Sequence, residues 1–410
     1  MSDPNASPLE WFDLEFKYWG SFMACCAICL ILQIINRNGS NEQKTQSLSL
    51  NPKFVSFQRN YLMAYLLAMF ADWLQGPYIY ELYVSYGYAS NEIAQLFVSG
   101  YASSMLFGTF VGGLADKYGR KTMCLLYCLC YFFACITKLS TDYWILMFGR
   151  CLSGISTSLL FSVFESWMVC EHHRQGFDNA LISSTFAYAT FGNGVVAVLA
   201  GLFANLVAGS HGYVAPFVMA TLPLIGVATI VSVSWTENFG NQSMPVFSSL
   251  GKGFALLRNE PRIAALGLAQ SCFEGGMYTF VFMWTPALKS AESNTASNDN
   301  SNNSGKVEST SDYLGLIFAV FMLCVMIGST IFKIFSFSKE TLYKIPLIVH
   351  SIACLAMFTT SITLGQYPSV VYIMFLVFET CVGCFYPVYG TIKSEKIPEE
   401  IRSAVMNIFR

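Results

Sequence analysis

Arg150, Asp72, Glu274, Glu379 and Asn193 each lie within a run of mostly apolar residues. An ionisable side chain at the centre of a membrane span costs about 2.5–3.5 kcal/mol on insertion scales, so a residue kept there is read as functional. Arg150 offers a planar fork of donors that matches a tetrahedral oxyanion. Asp72, Glu274 and Glu379 are candidate proton carriers, because a carboxyl withdrawn from water can take up and release a proton. Asn193, with Gln75 and Gln270, adds neutral hydrogen-bonding groups. Two readings compete for Arg150: it binds substrate, or it pairs with a carboxylate and locks helices together. Three carboxylates against one arginine make a poor field for a divalent anion, and the bare charge count suits a neutral or cationic solute better.

Helices that cross a bilayer must position these groups. Of the 410 residues, 54% are hydrophobic and only 12% charged, with a net charge of −2. A soluble domain carries about 25% charged residues, and a neutral chain has no basic surface for nucleic acid. The composition is that of an all-α polytopic membrane protein whose first partner is the lipid bilayer. A span needs about 20 apolar residues. Eleven stretches qualify: 18–36, 61–83, 93–115, 122–139, 143–169, 182–208, 214–234, 263–288, 313–335, 346–364 and 370–392. A twelfth begins near Ser403 and meets the chain end at Arg410, which predicts a C-terminally incomplete chain. The first stretch reads as a retained helix, since Glu10, Asp13 and Glu15 precede it and no A-x-A site follows.

Four regions follow. Residues 1–56 hold an extra N-terminal span (18–36) and a linker, 57–234 a six-helix bundle, 235–262 a central loop, and 263–410 an incomplete second bundle. Arg59, Lys117, Arg120, Lys121, Arg174, Lys252, Arg258, Lys393 and Lys396 fall on one side of the bilayer, whereas the other keeps only Lys17, Lys138, Lys289 and Lys306. By the positive-inside rule the first side is cytoplasmic and the N-terminus lies outside; the plasma membrane is the expected location. The Asn- and Ser-rich segment 289–312 is an outer loop with too little apolar surface to fold. Its sequon at Asn302, and another at Asn5, are open to glycosylation, while those at Asn38 and Asn241 face inward. Tyr78, Tyr80, Tyr83, Tyr86 and Tyr88 form either an interfacial belt or a substrate vestibule. His172 and His173 read as solvated loop residues. The cysteines, scattered through apolar runs, suggest helix packing rather than zinc or disulfides. With no P-loop, GxSxG or HExxH, the chain is read as a non-enzyme without cofactor or metal.

Tyr143…Arg150-x-x-x-Gly154 and Tyr372…Glu379-x-x-x-Gly383 share their offsets, as expected of a parallel repeat with a site near the midplane. Between the third and fourth stretches stands Gly113-Leu114-Ala115-Asp116-Lys117-Tyr118-Gly119-Arg120-Lys121, a turn with charges where two helix ends meet. It resembles the signature loop of the major facilitator superfamily. Leu146-x-x-x-Arg150-x-x-Ser153-Gly154 resembles that superfamily's core helix 4, and Pro398-Glu399-Glu400-Ile401-Arg402-Ser403 resembles its loop before core helix 11. Gly192-Asn193-Gly194 stands where antiporters carry a Gly-Pro motif. Four further strings, Phe70–Tyr78, Leu159–Trp167, Val214–Phe217 and Phe280–Pro286, resemble the molybdate-anion transporter family of that superfamily.

The resemblance implies the two-bundle major facilitator fold, with one extra leading helix and the last one or two core helices missing. It implies uptake of molybdate or a related small oxyanion by alternating access, with protons as a candidate coupling ion. It also implies a gating loop built on Gly113, Asp116, Gly119 and Arg120. In that loop Asp116 docks near Ser403, and Arg120 pairs with Glu165 or Glu171. The alternatives are a carrier for another small solute and, given the C-terminus, a membrane scaffold that transports nothing.

Overall fold

The computed structural model describes residues 8–39, 51–240, 251, 255–298, 310–335, 339–364, 366–397, 405 and 409. Its long helices are α1 (Pro8–Gly39), α2 (Pro52–Trp73), α4 (Ser90–Tyr118), α5 (Arg120–Ile136), α6 (Tyr143–Arg174), α7 (Ala180–His211), α8 (Ala215–Ser234), α9 (Pro261–Asn298), α10 (Leu314–Ile334), α11 (Ile345–Thr363) and α12 (Pro368–Lys396). A short α3 (Ile79–Ser85) follows α2, and a 3-10 turn, Thr137–Leu139, follows α5. Among the described residues, nine helices are long and apolar enough to cross a membrane. Helices suit a bilayer because they satisfy every backbone hydrogen bond internally. Polar caps close several ends: Asp142 accepts from the Trp144 and Ile145 N–H groups at 2.9 and 3.0 Å, starting α6.

The helices pack in two groups. In the first, α2 lies on α7 and α8, α5 on α6 and α8, and α4 on α6; in the second, α12 gathers α9, α10 and α11. The groups meet where α7 packs on α10 and α3 touches α9. The extra helix α1 lies on α10, far along the chain from its own neighbour α2. Two crossings are set by missing side chains. A Cβ on Gly154 would strike the Gly100 carbonyl of α4, and one on Gly383 would strike the Val325 carbonyl of α10. The glycines that share an offset in the repeat thus perform the same close approach in each group.

Two expected elements differ. The stretch 61–83 breaks after Trp73 and resumes at Ile79. Pro77 lacks an N–H, and the Gly76 backbone lies against the Phe318 ring, so the chain turns there. Residues 289–298, expected in an unfolded outer loop, are instead helical: α9 continues to Asn298, with Lys289 anchored on Glu81 at 2.7 Å.

For orientation, the face bearing Arg120, Arg174 and Lys396 is called the basic face, and the opposite one the far face. Near the far face the groups close on each other. Tyr80 and Phe97 of the first meet Phe282 of the second at 5.7 and 5.3 Å between ring centroids. Tyr101 meets Tyr278 at 4.6 Å. The Lys289 ammonium and the Ser311 hydroxyl both donate to buried Glu81.

Candidate functional site

The five intramembrane residues do not converge on one point. Asp72, at the end of α2, accepts from the Tyr131 hydroxyl of α5. Asn193 of α7 accepts from the Trp73 indole at 2.8 Å. In the second group, Lys393 donates to Gln270 at 3.0 Å and Gln270 donates to Glu274 at 2.8 Å, a buried chain that links α12 to α9. Glu379 is buried on α12 and has no hydrogen bond or ion pair among the described residues.

Arg150 sits one to two turns into α6 from the far face. Its Nε donates to the Leu96 carbonyl at 3.2 Å, and the guanidinium lies over the Phe97 ring, 5.0 Å from the centroid. A Cβ on Gly100 would press on that guanidinium at 2.9 Å, so the glycine makes its room. Among the described residues no carboxylate forms an ion pair with Arg150. Locking of helices by an Arg150–carboxylate pair is therefore not what this arrangement does.

Sequence reading missed the neighbour of Arg150. Lys138 counts in the sequence as one of few cations on the far side, yet it is buried, 2% exposed. Its Nζ donates to the Tyr83 hydroxyl at 2.9 Å and lies 5.3 Å from that ring's centroid. The turn that carries Lys138 is pressed onto α6: Thr137 fills the place a Gly149 side chain would take. The residues next in line on the two segments are Lys138 and Arg150. The Arg150 charge acts on Lys138, Tyr83 and Tyr101 alike. A three-residue 3-10 turn decides the direction of Lys138, and no periodicity in the sequence encodes that.

The tyrosines expected as a belt or vestibule turn inward. Tyr78, Tyr80 and Tyr83 are buried, and the Tyr78 hydroxyl donates to Asn205 at 3.0 Å. Tyr86 and Tyr88 donate to the carbonyls of Lys138 and Thr141.

On the basic face, Gly119 turns the chain with a φ of 98° between α4 and α5. Arg120 pairs with Asp116 at 2.9 Å. The partners expected from the resemblance are otherwise engaged or apart. Glu171 is held by Arg174 at 2.9 Å and by Gln175 at 2.7 Å, while Glu165 lines an open groove with Arg120, Ser166, His173 and Phe239. Four residues suffice to bring Asp116 beneath Arg120, so the shorter pairing wins. Gly113 lies on α4, three residues before Asp116. A residue unforeseen in the sequence completes the loop. Glu237 accepts from the Lys121 and Thr122 N–H groups at 2.8 and 3.0 Å, capping the N-terminus of α5 with a charge of favourable sign. His172, expected on a solvated loop, is buried at the end of α6 with Nε2 3.0 Å from the Asp178 carbonyl oxygen. Ser403, Asn302 and Asn5 lie outside the described residues.

Comparison with known proteins fits this architecture. A family model described as sugar transporters with 12 transmembrane segments matches residues 17–385. A protein of Danio rerio named molybdate-anion transporter is 35% identical, the alignment covering 95% of this chain and 84% of that protein. One of the same name from Takifugu rubripes is 36% identical over 94% and 82%. Among solved structures, the nucleoside transporter NupG superposes with a TM-score of 0.63 at 14% identity, covering 86% of this chain and 85% of that one. The xylose transporter XylE from E. coli, in an inward open conformation, gives 0.61 at 12% identity, covering 87% and 86%. The last two speak for the fold alone.

Proposed function

This chain belongs to the molybdate-anion transporter family of the major facilitator superfamily, and on that premise we propose that it carries molybdate or a related small oxyanion across the plasma membrane by alternating access. The observation that carries this reading is Arg150. Its guanidinium stands beside the contact of the two helix groups, free of any carboxylate partner among the described residues. The charge conflict in the sequence is thereby eased, since Asp72 and Glu274 are engaged by other partners and none of the three acids pairs with Arg150.

Residues 57–234 and 263–410 act as the two rocking halves in this reading. The basic face is cytoplasmic, which puts the N-terminus, Asn5 and Asn302 outside. The closed contacts at the far face then belong to an outwardly shut carrier. Asp116, Arg120, Gly113 and Gly119, braced by Glu237, form the cytoplasmic gating loop, with Glu165 beside it. Glu379, buried without a hydrogen-bond partner among the described residues, is the proposed site of proton exchange, and Asn193 positions Trp73 at mid-depth.

The test is uptake of radiolabelled molybdate at nanomolar concentration into cells that express the chain. Arg150→Ala should abolish it without removing the protein from the cell surface. Surface-expressed wild type that moves no molybdate between pH 5.5 and 7.5 would refute the substrate.

A further inference from the structure

We infer that Lys138 and Arg150 form a two-cation site that takes a divalent tetrahedral oxyanion and discriminates against a monovalent one of the same shape; this rests on the transport reading above. The donors are uncommitted, and the segments that carry them touch where Thr137 meets Gly149. Arg150 spends its Nε on Leu96, and its two terminal amino groups have no hydrogen-bond partner among the described residues. Lys138 spends one N–H on the Tyr83 hydroxyl. Thr137 wedged against Gly149 fixes the spacing of the two segments, and the bare backbone of Gly100 leaves the room that the guanidinium itself occupies.

Acids that could neutralise the pair are committed elsewhere. Glu81 holds Lys289, Asp72 holds Tyr131, Asp142 caps α6, and Glu92 accepts from the Ala89 N–H. The Phe97 and Tyr83 rings offset part of the cost of burying two cations. What remains is two like charges with no counter-ion, unfavourable in an apolar setting until an anion joins them. A dianion cancels both charges, whereas a monoanion leaves one uncancelled. A tetrahedral dianion also has enough oxygens to meet the guanidinium fork and the ammonium together. Tyr101 packs beside Phe97, the ring under the guanidinium, and its contact with Tyr278 brings the second helix group to the edge of the site.

The experiment uses the full chain in proteoliposomes and follows labelled molybdate against two competitors, sulfate (divalent, tetrahedral) and perchlorate (monovalent, tetrahedral). Wild type should be inhibited by sulfate and spared by equal perchlorate. Lys138→Met should weaken molybdate about 10- to 100-fold, the worth of one hydrogen bond to a charged group, and lose the sulfate-over-perchlorate preference. Lys138→Arg should keep that preference. Lys138→Met with wild-type affinity and preference overturns the site while the transport reading stands. Should Lys138→Met fail to fold, the wild-type competition decides alone, and perchlorate competing as well as sulfate overturns the site. Purified wild type that binds labelled molybdate with the sulfate-over-perchlorate preference but transports none overturns the transport reading and keeps the site.

Discussion

Glu379 and Arg150 hold equivalent places in the two halves of the sequence repeat, yet their surroundings differ. Arg150 rests on a ring face and a carbonyl, while Glu379 has neither hydrogen bond nor ion pair among the described residues. A carboxylate in an apolar setting without a hydrogen bond is costly to keep charged. Glu379→Gln should therefore leave thermal stability in detergent equal or higher, while uptake driven by an inward proton gradient falls. Undiminished gradient-driven uptake would remove Glu379 from coupling. Arg150→Lys keeps the charge but loses the planar fork, and molybdate uptake should fall about tenfold or more, a cost of ~1.4 kcal/mol or above. These two residues were legible in the sequence because a charge inside an apolar run announces itself by composition. Lys138 was not. It ends an apolar run, where a lysine ordinarily reaches for water, and only the turn onto Gly149 sends it inward. Glu237 was hidden for a related reason, since the helix end it caps is distant in sequence.

Most helix boundaries follow the expected spans within a few residues, because bilayer thickness fixes how long an apolar run must be; α1 and α2 begin nine to ten residues earlier, at Pro8 and Pro52. The break after Trp73 and the extension past residue 288 have local causes in Gln75-Gly76-Pro77 and in Lys289. The contacts at Gly154 and Gly383 were only half legible: the shared offset marked them, but not that each one meets a carbonyl. Gly154→Leu and Gly383→Leu should each push a helix pair apart, at a cost of about 1–3 kcal/mol, read as a lower melting temperature. Val→Ala at exposed Val233 serves as the control that should not move it. In the gating loop, Glu237→Gln should loosen the start of α5 and cost about 0.5–2 kcal/mol. Thermal melts measure that loss, and a shift no larger than that of the Val233 variant would dismiss the cap.

At the scale of the molecule, the far-face contacts form a seal of rings around one ion pair. Lys289→Met removes the attraction and leaves buried Glu81 as an unpaired charge. A cysteine at Tyr101, in a background with the native cysteines replaced by serine, should then react faster with an impermeant thiol reagent added from the far side. Unchanged labelling would assign the seal to the Phe282 and Tyr278 rings instead. The placement of α1 bears on the same motion. This helix lies along α10 of the second group, with Ser21 bonded to Tyr372 at 2.8 Å and Gln33 donating to Thr330 at 3.1 Å, while its chain runs on into α2 of the first. By chain connectivity alone, the twelve residues between Gly39 and Pro52 leash together the two bodies that part and rejoin in the proposed cycle. Twelve residues reach at most about 40 Å, so shortening that leash should at some length arrest turnover while binding survives, making the added helix a governor of stroke.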